Sequence, residues 1–204
     1  PIDGGSIHVA GIDVTADPVA AKRLCAYVPD NPDVYDFMTG LQYLAFIADI
    51  FEVPVRDRQA RIEEYARRLE LTDALASPIA SYSHGMRQKL VVIGALIHEP
   101  RLLVLDEPFV GLDPLVSHEL KRMLHELAAR GGAVFFSSHV LEVVEKLCNK
   151  VAIIRHGQIV AAGTTDEVRG DDTLEEVFLE LVEDGGAGTG AMGKPAPSSP
   201  SEHR

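Results

Sequence analysis

Apolar residues along this chain fall into two kinds of run that alternate. Leu24–Val28, Arg101–Leu105 and Ala133–Phe136 are short, nearly continuous apolar stretches bounded by turn residues. That pattern predicts buried strands, and Arg101–Leu105 reads as a parallel strand buried on both faces. Between them, apolar positions recur at helical spacing: Thr39 to Phe51 with Leu41, Leu44, Phe46, Ile47 and Ile50, then Val55 to Leu69, Arg87 to His98, and Leu115 to Arg130. Ser83 is placed to cap the third of these helices, and Gly131-Gly132 to end the fourth. A short helix is expected to end over Ala20–Arg23, and another covers Val140–Leu147. Gly4 to Gly11 reads as a turn with a short strand. Lys150–Arg155 and Gln158–Ala162 read as a hairpin about His156-Gly157. Asp171 to Asp184 predicts an acidic amphipathic helix with Leu174, Val177, Phe178, Leu181 and Val182 on one side. From Gly185 to Arg204 the chain is rich in Gly, Ala, Pro and Ser and is expected to be disordered.

Strands separated by helices make this an α/β chain, and its 204 residues, 46% hydrophobic and 25% charged, suffice for one sizeable core. A formal net charge of −12 argues against a nucleic-acid binder working through a general basic surface. Cys25 and Cys148 stand far apart with no CxxC, which argues against a disulfide framework or zinc site and fits a reducing cytosol with both thiols buried as small apolar groups. No run approaches the roughly eighteen apolar residues of a membrane span, and the start is not a secretory signal. His98, His118, His125 and His156 show no metal-ligand spacing and are read on solvated faces. His139 alone has a motif around it.

The chemistry concentrates between Ser81 and Pro114, SYSHGMRQKLVVIGALIHEPRLLVLDEPFVGLDP. Open α/β sheets place ligands at the carboxyl ends of their strands, which is where Asp106 and Glu107 fall. Asp106 suits Mg²⁺, a hard cation commonly held by one or two carboxylates plus substrate phosphates. Glu107, one residue on, is placed to orient and deprotonate a water. Ser83, His84 and Gly85 stand at a helix N-terminus, where free N–H groups and the positive dipole end suit an anion. Asp113-Pro114 enters the next helix from a tight Gly111-Leu112 turn, and His139 follows the exit of the Ala133–Phe136 strand. Taken singly, each feature also reads blandly, as a strand end in solvent, an ordinary cap, a routine turn or a structural histidine.

Together, in this order, YSHGMRQK, LLVLDEP, GLDP and FFSSH closely resemble the nucleotide-binding domain of ABC transporters, a likeness covering about residues 1 to 168. The resemblance implies a P-loop NTPase-like α/β core with a mostly parallel sheet and an α-helical subdomain. It assigns Asp106 and Glu107 to the Walker B carboxylates, Ser83 and Gly85 to the signature motif, Asp113 to the D-loop and His139 to the switch histidine. The implied organisation is an ATPase core remnant over 1–38, the helical subdomain over 39–98, more core over 99–168, a C-terminal helix over 169–184 and the tail beyond. The implied ligands are ATP and Mg²⁺. The implied partners are a second ABC ATPase subunit, whose ATP the signature motif would cover, and a transmembrane permease subunit reached near Tyr35, Phe37 and Met38. For any one of those three, core packing is the competing role. The implied location is the cytoplasmic face of the cell membrane, held there through the permease.

The chain departs from the family pattern in places. His84 replaces the first signature glycine and Met86 the glutamine, while Ser83 and Gly85 are kept. Asp30 stands where the family's Q-loop glutamine reaches the metal and water, and its position between two prolines suits a turn former equally well. The sequence GxxxxGK[ST] does not occur. Gly188 to Lys194 matches it only in part, is followed by Pro195, and is read as chance. The first strand, phosphate-cradling loop and following helix of the family are therefore expected upstream of Pro1. The alternatives are a partner lacking that loop, which donates only its signature to a complete ATPase, and an ABC ATPase with no transport role.

Overall fold

The computed structural model describes residues 3–183. Both the tail expected to be disordered and the partial GxxxxGK match lie outside them. The described residues form two compact units that divide between His139 and Val140.

In the first unit, β1 (His8–Val9) and β2 (Ile12–Asp13) make a small antiparallel ribbon, followed by helix α1 (Pro18–Arg23) and strand β3 (Cys25–Val28). Three helices come next: α2 (Gly40–Ile50), α3 (Val55–Arg68) and α4 (His84–Leu96). Strand β4 (Leu102–Asp106), helix α5 (Pro114–Ala129) and strand β5 (Ala133–Ser137) complete the unit. The Ser83 cap and Pro114 at the start of a helix agree with the sequence reading. Thr39 and Gln42 form a reciprocal capping box on α2, Ser83 caps α4, and Asp113 caps α5 with Pro114 in its first turn.

β3, β4 and β5 pair in parallel in that order, with Val28 opposite Leu105 and Asp106 opposite Ser137. The core lies on one side of this sheet. Ala26, Val28, Leu103 and Leu105 are buried there, and α4 and α5 supply Leu90, Ile93, Leu120 and Leu124. The expectation of buried strands is corrected here for β3 and β5. Tyr27, Val104 and Phe135 form one cross-strand row on the other face, and Tyr27 and Phe135 are each 61% exposed. An apolar run carries no period, so sequence cannot tell a strand covered on two faces from one covered on a single face by the described helices.

His98 also departs from its expected solvated face. Its ring stacks on Phe51 with centroids 3.7 Å apart and donates from Nε2 to the Cys25 carbonyl at 3.3 Å. It thereby ties the end of α4 to the end of α2 and to the start of β3. Cys25 and Cys148 are half-buried free thiols rather than fully buried ones, and burial raises the pKa of both.

α3 is fastened to α5 by ions. Arg68, 15% exposed, meets Glu119 Oε1 at 2.5 Å and Glu126 through both terminal nitrogens at 2.7 and 2.9 Å. The Glu126 hydrogen bonds raise the Arg68 pKa further, so the guanidinium is always charged.

In the second unit, α6 (Leu141–Leu147) precedes the antiparallel hairpin of β6 (Lys150–Arg155) and β7 (Gln158–Thr164), as the sequence predicts. Helices α7 (Thr165–Arg169) and α8 (Leu174–Glu183) follow. Arg169 pairs with Glu145, whose other oxygen accepts from the Leu174 amide, and this joins α6, α7 and α8.

Two outcomes are expected. Arg68→Ala leaves the half-buried Glu119 without its main cation and should lower stability by about 1–3 kcal/mol in urea unfolding. The second concerns pH. Burial holds the His98 pKa below the usual 6.5, so the unfolded chain takes up a proton that the folded ring resists. Its contribution is complete above that value and is lost as the pH falls through the lowered folded pKa. His98→Phe, which keeps the stack, should flatten the fall in melting temperature between about pH 7 and 5 relative to the parent chain.

Candidate functional site

The parallel register brings the predicted residues to one edge. β4 ends in Asp106, with Glu107 just beyond; Asp30 lies two residues past Val28, the partner of Leu105; and His139 lies two residues past Ser137, the partner of Asp106. Four of these groups are joined by hydrogen bonds. The Ser137 hydroxyl donates to Asp106 Oδ1 and accepts from the Glu107 amide at 3.2 Å. Glu107 Oε1 accepts from the His139 amide at 2.9 Å and from its Nδ1 at 2.8 Å. A carboxylate only accepts, so the His139 proton resides on Nδ1, and Glu107 Oε2 and His139 Nε2 are left for other partners. Glu107 has φ +44°, a left-handed backbone that a non-glycine residue adopts at a cost. The Ser137 and His139 contacts hold it there.

Ser137 is the residue that reading the sequence missed. A hydroxyl at a strand's last position says nothing until the register sets it opposite Asp106.

The second group stands at the head of α4. Ser83 Oγ accepts from the Met86 amide at 3.3 Å, and His84 and Gly85 fill the first turn. This end of α4 meets Gly111 of the Glu107–Asp113 turn, and Lys89 lies 3.6 Å from Asp113. Asp113 itself accepts from the Val116 amide at 2.9 Å, the largest cause holding its carboxyl below the usual range. Asp30 is exposed at its strand exit.

No group of three or more His, Cys, Asp or Glu side chains converges on one point among the described residues. Asp106 offers oxygen donors suited to a hard divalent ion that draws its remaining ligands from phosphate and water, so the donor set fits Mg²⁺ as a shared ligand and not as a caged one.

A parallel α/β sheet with acids at its strand exits has the layout in which open sheets place ligands at the carboxyl edge. Comparison with known proteins narrows the class. The profile of the family described as ABC transporter matches residues 1–110. An ABC transporter ATP-binding protein of Nostoc sp. is 37% identical over 158 residues, 76% of this chain and 47% of the relative. The ABC-type transporter ATP-binding protein EcsA of Bacillus subtilis is 31% identical over 185 residues, 88% of this chain and 75% of the relative. A solved ATP binding subunit of an ABC transporter superposes with TM-score 0.85 at 31% identity, covering 88% of this chain and 77% of that one. CbiO1 of Clostridium perfringens, described as part of the cbiONQ complex, shares the fold at TM-score 0.68 and 21% identity, over 90% of this chain and 76% of that one. The chain belongs to the ABC transporter ATP-binding protein family. It spans 47% and 46% of two of its curated relatives, about half their length.

Ser137→Ala removes one hydrogen bond to Asp106 and one from Glu107, and should cost about 1 kcal/mol in denaturant unfolding, with Ser137→Thr costing less.

Proposed function

We propose that this chain is part of the ATP-hydrolysing subunit of an ABC transporter, which powers transport through a separate permease. The observation that carries the reading is the Glu107 carboxylate held by both the amide and the ring of His139, beside Asp106, at the exits of β4 and β5.

The reaction is ATP + H₂O to ADP + phosphate. Because Oε1 is taken by His139, Glu107 receives the proton of the attacking water on Oε2 as the water oxygen bonds to the γ-phosphorus and the bond to the β-phosphate oxygen breaks. The Nδ1–H bond fixes the His139 ring, and only a ring that carries a proton on Nε2 as well can donate to a γ-phosphate oxygen, itself an acceptor. Asp106, oriented by Ser137, is the Mg²⁺ ligand, and that ion would supply charge neutralisation of the β- and γ-phosphates. Asp30, at the neighbouring exit, serves the metal and water side. Ser83, His84 and Gly85 at the head of α4, with Asp113 near them, act on ATP held by a second ATPase subunit. The phosphate-cradling GxxxxGK[ST] loop is not within these 204 residues, so hydrolysis is assigned to the whole subunit.

The surface around α2 supports the permease assignment. Tyr35 contacts both Phe37 and Phe46 with ring centroids 5.8 Å apart, and Phe37 is 81% exposed alongside exposed Leu41 and Ile50. These side chains are not core, and a clustered exposed aromatic patch fits a protein partner. Among the described residues no helix is long and apolar enough to cross a membrane.

In the full subunit, Glu107→Gln should lower ATP turnover by about 10²–10⁴-fold while nucleotide binding persists, as for loss of a general base. Turnover equal to the parent's would reject the assignment.

A further inference from the structure

Gly85 is read by sequence as a residue that lets a ligand come close to the head of α4. Its surroundings within the same chain require a glycine for another reason. A Cβ on Gly85 would lie 2.6 Å from the carbonyl oxygen of Gly111, closer than real Cβ contacts come. Gly111 has φ +75°, and a Cβ there would meet the His84 ring at 3.0 Å. Gly85 and Gly111 are thus packed backbone to backbone across α4 and the Glu107–Asp113 turn, with the His84 ring against Gly111.

That turn leads back to the site by a short path. The Val110 amide donates to the Glu107 carbonyl at 3.2 Å, and the Leu112 amide to the Phe109 carbonyl at 3.4 Å. Phe109 is wedged between Phe136 of β5, edge-on at 5.8 Å, and Lys121 of α5, whose ammonium lies 5.3 Å from the ring centre. Asp113 pins the far end as the cap of α5. The tip at Gly111 is therefore the part left to be positioned by α4. Of the two sides in contact, α4 is anchored by the buried Leu90, Ile93, Leu96 and Ile97, whereas Glu107 sits in a left-handed backbone that its hydrogen bonds must maintain.

We propose that Gly85, with the His84 ring, is a positioning residue for Glu107 of its own chain. The head of α4 braces the Gly111 tip, and the turn carries that position two hydrogen bonds back to the left-handed Glu107 and so to its bond with His139. This deepens the proposed function and rests on it for its meaning: the helix end assigned to a partner's ATP also sets the base at this chain's own site. The two would then respond together, because one backbone contact serves both.

The test needs no nucleotide, which separates it from the turnover experiment. In the full subunit labelled with ¹⁵N-histidine, Gly85→Ala is compared with Gly94→Ala, a glycine of the same helix whose added Cβ meets Tyr43 at an ordinary 3.5 Å. Gly85→Ala should shift the His139 Nδ1 signal and reduce hydrogen-exchange protection of the Val110 and Leu112 amides, with protection of the β4 amides retained. Gly94→Ala should leave all of these as in the parent. If Gly85→Ala does not fold, His84→Ala, which removes the ring from Gly111, should produce the same shift and loss of protection. An unchanged His139 signal and unchanged turn amides in the folded variant would overturn the proposal, whether or not Glu107→Gln abolishes turnover.

Discussion

Everything about the candidate site follows from the parallel pairing of β3, β4 and β5. Parallel neighbours end on the same side, so a register that sets Val28 against Leu105 and Asp106 against Ser137 delivers Asp30, Asp106, Glu107 and His139 to one edge. A slip of one residue would turn the buried Leu103 and Leu105 outward and separate Ser137 from Asp106 at the same time. Hydrophobic burial on the covered face thus holds a polar arrangement on the edge, which could not hold itself in water.

The edge carries strain where the pairing stops. Glu107 leaves β4 in a left-handed conformation, and the bonds from its amide to Ser137 and from His139 to its carboxylate offset the cost. The same residue begins the turn that touches α4. A group proposed for proton transfer therefore stands at the junction of a rigid sheet and an adjustable turn, an arrangement in which small shifts of the turn alter the orientation of the carboxylate.

Directional contacts supplement the apolar packing of α4 against the sheet. Arg68 ties α3 to α5, His98 ties α4 to Phe51 and β3, and Gly85 with Lys89 meets the Gly111–Asp113 segment. Each is a directional contact between few atoms, so each defines a relative orientation more sharply than apolar packing does.

The Ser83 cap of α4, the alternation of strands and helices and the place of Asp106 at the end of β4 were legible in the sequence, because capping, apolar periodicity and motif order are local properties written in consecutive residues. The hairpin of β6 and β7 was legible for the same reason, its turn lying between two apolar runs. What only the tertiary structure decided is long-range: that the sheet of the first unit is covered on one face, that His98 stacks on Phe51, that Ser137 joins Asp106 to Glu107, that the aromatic residues near α2 stand in solvent, and that Gly85 is a glycine for the sake of Gly111. Each depends on residues tens of positions apart meeting through register and packing, and a sequence pattern holds spacing along the chain but no distance across it.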